Sequence, residues 1–245
     1  MTERDAGAVS RTQTSFQVGP SGMRWDGQTL VIDIEERTPP FPLPLTSRLK
    51  GRVRVHPKVF TNRAFELDPA ARHAWWPIAP VARIEVELDE PALRWSGEGY
   101  IDSNRGAEML EAGFRHWSWS RAAHESGAVV LYDVDSRHGA IEPLAMRFDR
   151  MGEAEPIELG KSTRLMPTRW LVPRSTRTDA GTSARVVKTL EDAPFYARSM
   201  IEATVGGERV TAIHESLSLT RFASPIVKWM LPYKMPRRET PRADN

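Results

Sequence analysis

Apolar and polar side chains alternate with a period of two in one short stretch after another, with turn residues between. Ile84, Val86 and Leu88 alternate with Arg83, Glu85 and Glu87, the pattern of a half-exposed strand. The same period marks residues 51–55, ended by Pro57, and residues 128–134. In 114–121 it puts Trp117 and Trp119 on one face, and in 144–148 it aligns Leu144, Met146 and Phe148. Residues 16–18 and 30–34 flank Trp25-Asp26-Gly27 and predict a first hairpin. After the short charged stretch 151–156 the pattern restarts at 168–172, 184–190, 195–205 and 208–222, with Gly206-Gly207 as a hairpin turn. Residues 1–14 are polar and expected to be loose. The proline-rich 38–45 reads as an extended connector, 69–80 as irregular and aromatic, and 107–113 as one or two helical turns. About a dozen short strands without long helices predict an all-β sandwich or barrel.

Within this pattern the stretch 92–106, ALRWSGEGYIDSNRG, stands out. Gly97 and Gly99 weaken a strand and mark a bend, a bulge or a close approach by ligand or backbone. Just beyond them Tyr100 and Asp102 point to one face, and Ser103-Asn104-Arg105-Gly106 supplies turn chemistry. On residue physics alone, Asp102 is either a turn cap or the acid of a site. His73 and Trp75 are likewise either packed core or part of that site, and Trp117 and Trp119 either core or ligand wall.

Composition narrows the chemistry. The 245 residues carry a formal charge of only +2, with no Lys/Arg block interleaved with aromatics, so nucleic acid is not indicated. There is no cysteine, which excludes disulfides, thiolate metal sites and cysteine nucleophiles. The six histidines show no metal-ligand spacing, and Asp102-x-Asn104 lacks the rest of a calcium loop, so no metal is expected. No serine elbow or phosphate-cradling loop appears, and no cofactor is expected. The N-terminal residues hold no apolar signal segment, and no apolar run reaches membrane-spanning length. The segment from Ser224 to Arg238 is apolar and basic, and is expected either to complete a barrel or to touch a membrane surface.

Three runs, WSGEGYIDSNRG (95–106), FRHWSWSRA (114–122) and LYDVDSR (131–137), resemble the acyclic carotenoid 1,2-hydratases. Residues 16–36 and 72–88 are similar to the same family. The resemblance implies two lipocalin-like antiparallel β-barrel domains, divided here as 1–152, carrying the site, and 153–245. The family extends upstream of Met1, so the first barrel is expected to be incomplete. It implies addition of water to the terminal double bond of acyclic carotenoids such as neurosporene and lycopene, in a protein that is cytoplasmic and peripherally membrane-associated. It also implies four site residues, a His-x-Trp pair matching His73 and Trp75 and a Tyr-x-Asp pair matching Tyr100 and Asp102.

Hydrating an unactivated alkene needs a proton donor, and an apolar pocket keeps a carboxyl protonated by penalising its anion. Asp102 is then the expected acid, Trp75 and Tyr100 the walls facing a tertiary carbocation, and His73 the group that orients the acid or the water. The rival expectations are a non-catalytic polyene carrier and a pericyclase-type cyclase on the same scaffold. The sequence carries no signal for an oligomeric state.

Overall fold

A computed structural model describes residues 4–37 and 48–230. The expected connector at 38–45 and the tail beyond Met230 lie outside the described residues. Nearly every element is an antiparallel strand, as an alternating pattern that buries one face requires. Clustering of contacts separates two compact units, one built from the chain up to Pro57 and from Ala82–Gly99, the other from Lys58–Val81 and Tyr100–Lys228.

The first unit holds β1 (Val9–Arg11), β2 (Ser15–Val18), β3 (Ser21–Trp25), β4 (Leu30–Arg37) and β5 (Arg48–Pro57), each antiparallel to the next. Residues expected to be loose form β1, held in register with β2 from Val9↔Val18 to Arg11↔Phe16. The expected first hairpin gains a strand, because Gly19, at φ 60°, turns the chain before β3. Asp26 then closes the β3–β4 turn, its Oδ1 accepting from the Gln28 and Thr29 amides. Charged pairs such as Arg54–Glu87 and Arg48–Glu35 lace the exposed face, where solvent screening leaves them little weight in stability.

After β6 (Phe65–Glu66) comes the eighteen-residue β7 (His73–Glu90), paired with β5, β6 and β8 (Leu93–Gly106). The stretch 73–80, expected to be irregular, is the start of β7. Within it the Pro77 carbonyl accepts from Thr61 Oγ1 and the Pro80 carbonyl from the buried Arg121 guanidinium. The expected close approach at Gly99 is made by a side chain, not a ligand: a Cβ there would stand 2.1 Å from Ile84 Cδ1.

Most of the second unit is a seven-stranded sheet. Its strands are β9 (Phe114–His124), β10 (Gly127–Ser136), β11 (Leu144–Asp149), β12 (Ala154–Pro156), β15 (Arg185–Asp192), β16 (Tyr196–Val205) and β17 (Glu208–Ser218), in the order β12-β11-β10-β9-β17-β16-β15. β13 (Thr163–Leu165) and β14 (Arg174–Thr176) form a separate pair, and α1 (Leu110–Gly113), α2 (Leu219–Phe222) and α3 (Pro225–Met230) are short. Gly206 and Gly207, at φ 64° and 84°, make the expected β16–β17 turn. Residues 168–172 form a loop rather than the expected strand: the Leu171 amide bonds back to the Thr168 carbonyl, and Leu171 takes φ 56°. Position 152, where the sequence places a domain boundary, falls between β11 and β12, neighbours in this one sheet. At its far end β15 breaks register with β16 twice, between Val186 and Lys188 and between Thr189 and Glu191.

Alternation gives this sheet two different faces. Trp119, Val130, Tyr132, Met146, Phe148 and Leu217 form one buried cluster, joined by Phe65, Trp75 and Phe114. The opposite face packs small and branched side chains such as Ala122, Val129, Ile201 and Val210. Among them the fully buried His214 bridges two hydroxyls, with Nδ1 2.7 Å from Ser120 Oγ and Nε2 3.0 Å from Ser216 Oγ. Arg174 on that side donates to Ser199 Oγ and Thr189 Oγ1. Ser118 Oγ and Thr176 Oγ1 are buried without a hydrogen-bond partner among the described residues.

Candidate active site

Four residues singled out in the sequence lie on β7 and β8, within the second unit. The period of two sends Tyr100, Asp102 and Asn104 to one side of β8, and His73 and Trp75 to one side of β7. Trp75 is 1% exposed, and its Nε1–H donates to Asp102 Oδ2 at 2.9 Å. Its indole packs among Phe65, Tyr132 and Phe148, with ring centroids 5.7, 5.8 and 6.2 Å away. Tyr100 lies against Trp119 at 5.1 Å, and the Arg121 guanidinium stands over its ring, also at 5.1 Å. Trp117 contacts both Tyr132 and Phe114, so the two tryptophans of β9 belong to the aromatic cluster around Asp102.

Burial raises the Asp102 pKa above the usual carboxylate range, and the Glu215 charge adds to the rise against the Trp75 hydrogen bond. Burial likewise pushes the phenols of Tyr100 and Tyr132 up, so both are neutral donors at working pH. The arrangement is a half-buried carboxyl, biased toward its protonated form and ringed by aromatic faces. Such a group keeps its proton to higher pH and so has one to donate, and the aromatic faces beside it can stabilise a cation.

His73 is placed differently from its three companions. It is 2% exposed, packs on the Phe114 ring at 4.6 Å, and has Nδ1 3.2 Å from Oδ2 of the fully buried Asp68. Its Nε2 has no hydrogen-bond partner among the described residues. A Cβ on Gly113 would lie 2.3 Å from the ring, so only glycine leaves it room.

Sequence reasoning missed Asp68, Asn104, Tyr132 and Glu215. Asp68 had a local signal, since Asp-Pro followed by small residues predicts a carboxylate-capped turn ahead of His73. Asn104 continues the Tyr100–Asp102 face, and its Oδ1 accepts from Tyr132 Oη at 3.2 Å. Glu215 gave no local signal. It joins the site because β17 lies beside β9, in the register Glu215↔Trp119, and there it accepts from Arg198 Nε at 2.9 Å. Among the described residues no cluster of three or more His, Asp or Glu is placed to hold a metal ion. No helix among them is long and apolar enough to cross a membrane.

Fold and site together define an all-β, lipocalin-like protein with a desolvated, indole-bonded carboxyl. Solved structures agree on the fold. A putative AttH from Nitrosomonas europaea superimposes with a TM-score of 0.58 at 12% identity, covering 87% of this chain and 72% of that one. CghA, solved with Sch210972, gives a TM-score of 0.50 at 12% identity over 86% of this chain and 69% of that one.

The sequence takes the assignment further: the chain belongs to the carotenoid hydratase CrtC family, whose model matches residues 1–244. It is 53% identical to the acyclic carotenoid 1,2-hydratase of Thiocapsa roseopersicina and 44% identical to that of Rubrivivax gelatinosus, each over 97% of this chain. The enzyme of that name from Cereibacter sphaeroides is 40% identical, with 97% of this chain covering 84% of the relative. The chain spans 58% of the length of the Thiocapsa and Rubrivivax relatives.

Proposed function

We propose that the protein hydrates the terminal carbon–carbon double bond of an acyclic carotenoid such as neurosporene or lycopene, without a cofactor. The observation that carries this reading is the Asp102 carboxyl, raised by burial, bonded to the Trp75 indole and enclosed by an aromatic cluster. Family membership supports the substrate class. In the proposed reaction Asp102 transfers its proton to one alkene carbon, forming a C–H bond and leaving a tertiary carbocation on the neighbouring carbon. The Trp75 and Tyr100 rings stabilise that cation, at about 0.5–2 kcal/mol for each well-placed face. Water then forms the C–O bond, and its surplus proton returns to the Asp102 carboxylate. His73 serves as an orienting group.

The test incubates the purified chain with lycopene or neurosporene in ¹⁸O-labelled water. Product carrying one labelled water supports a hydratase. An isomer without label points to a cyclase, and unchanged carotenoid bound to the protein points to a carrier; either result overturns the proposal.

One observation also favours docking on a bilayer, where a polyene substrate dissolves. On α3, Val227 is buried while Ile226 and Trp229 are 72% and 76% exposed. The expected docking segment, 224–238, is described only as far as Met230. Flotation with anionic vesicles tests this, and undiminished binding by a folded Ile226→Ser/Trp229→Ser variant rejects it.

A further inference from the structure

We propose that Asp68 and His73 form a positioning pair that acts on Asp102 through Trp75. The purpose of the pair rests on the hydration reading, but its geometry does not.

Asp68 is fully buried, and its carboxyl oxygens face donors. Oδ1 accepts from the Ala70 amide at 2.9 Å and the Arg72 amide at 3.3 Å, and Oδ2 accepts from the His73 amide at 2.8 Å. Burial acts to raise this carboxyl, yet the bonds from Arg72, His73 and Ala70 outweigh it and hold Asp68 below the usual carboxylate range. An ionised carboxylate only accepts, so the His73 Nδ1 beside Oδ2 must carry a proton. Nε2 is the ring nitrogen left over once Nδ1 faces Asp68.

Nε2 is buried and has no hydrogen-bond partner among the described residues. A Cβ on Gly106 would lie 2.6 Å from His73 Cδ2, one on Gly113 would lie 2.3 Å from Cε1, and Phe114 covers the ring at 4.6 Å. The imidazole is a wedge between two glycine backbones, with one edge anchored to Asp68. The Ala107 amide, donating to the Arg72 carbonyl at 2.8 Å, ties the same point of β7 to the end of β8. Two residues beyond the wedge, Trp75 reaches Asp102. A strand fixed at His73 fixes the angle of that indole. His73 therefore serves the acid from behind, and the attacking water comes from elsewhere.

The consequence is measurable at Asp102. The Trp75 bond favours the Asp102 carboxylate, so loosening it moves the titration of Asp102 to higher pH. The other titratable groups acting on Asp102 are Tyr100 on β8, Tyr132 on β10 and Glu215 on β17, with Arg121 and Arg198 near Tyr100 and Glu215. The substitutions used here leave all of these in place.

The experiment uses the whole chain labelled with ¹⁵N in histidine and tryptophan. In the wild type, His73 should be the Nδ1–H tautomer, and the Trp75 indole N–H resonance should titrate with Asp102. Asp68→Asn should move that midpoint to higher pH. It should also lower kcat about 10-fold at little change in KM, a fraction of the ~10²–10⁴ that a positioned acid contributes. In a Trp75→Phe background, Asp68→Asn should add no further shift to the pH profile of hydration. A merely structural Asp68 would lower the melting temperature and leave the midpoint where it was.

An Nε2–H tautomer in the wild type, or an unmoved midpoint in folded Asp68→Asn, overturns the proposal. If Asp68→Asn does not fold, Gly113→Ala presses on the same ring and must produce the same shift. If the wild type hydrates no carotenoid, the functional reading fails, and the two resonance measurements still decide the pair.

Discussion

On β9, Trp117 and Trp119 face one way and Ser118 and Ser120 the other, and the two sides of the sheet treat a desolvated titratable group in opposite manners. The aromatic side holds Asp102, whose carboxyl is raised by burial and by Glu215 and receives the Trp75 indole N–H. The hydroxyl side holds His214, which burial first, and then Arg174 and His116, push down to about 3. Desolvation thereby disfavours the charged form of both groups. Neutrality makes a carboxyl a proton donor, because its proton stays on; it makes an imidazole a passive bridge between Ser120 and Ser216. The same desolvation favours the proposed acid on one side and a fastener on the other.

The largest effect expected from breaking this contrast comes from Asp102→Asn. Asn preserves the shape and still accepts from Trp75 Nε1, so the protein should fold and lose hydration by at least ~10²–10⁴-fold. A folded variant with near wild-type turnover sinks the assignment. Stability gives a second readout. With a folded-state pKa above the unfolded one, Asp102 costs nothing at low pH; the cost grows as pH rises past the unfolded value and persists above the folded one. Asp102→Asn should therefore raise the melting temperature at pH 7, with the gain vanishing near pH 3.

His214→Ala attacks the other side. It removes a buried ring and strands two hydroxyls, so it should cost about 2–4 kcal/mol in urea denaturation. The surviving folded fraction should hydrate at the wild-type rate per molecule. In the wild type, protons bind the unfolded chain at His214 below the ordinary value of 6.5 but reach the folded chain only near 3. Stability should thus fall as pH drops through that window, and the variant should lack this component of the slope. An identical pH slope in both proteins would show that His214 is not held neutral.

Glu215→Gln tests how the aromatic side is tuned. Removing that charge lets Asp102 ionise more easily, so the loss of activity at high pH should begin at lower pH while the protein stays folded. A profile that stays in place would mean that the Glu215 charge does not tune the acid. The smallest effect belongs to Thr176→Val. It replaces a buried, unpartnered hydroxyl with a methyl of the same shape and should raise stability by about 1 kcal/mol. A loss instead would reveal a hydrogen bond to water at that hydroxyl.

Much of this was legible in the chain because strand periodicity is local. Alternation alone placed Tyr100 with Asp102 and Trp117 with Trp119, and Gly206-Gly207 announced its turn. What escaped depended on register between distant segments. Glu215 lies beside Trp119 only through the β17–β9 pairing, some ninety-six positions apart in the chain. The surroundings of His73 escaped for a related reason: its spacing to Trp75 shows a shared face, while its confinement comes from Gly106 and Gly113, far along the sequence. Residues 73–80 are strand against the expectation that proline disfavours one, and nothing local announces it: their carbonyl partners, Thr61 and Arg121, come from other segments.

The two register breaks in β15 bear on how the protein behaves in a crowded cell. β15 ends the seven-stranded sheet, and Val187 and Leu190 are both exposed on it. An unbroken strand with that apolar content would offer a template on which a second chain adds and a fibril grows. Each break interrupts the regular ladder along the strand, while Arg185, Lys188 and Glu191 put charge along the same edge. An arriving strand meets an interrupted ladder, so the sheet stops growing at β15.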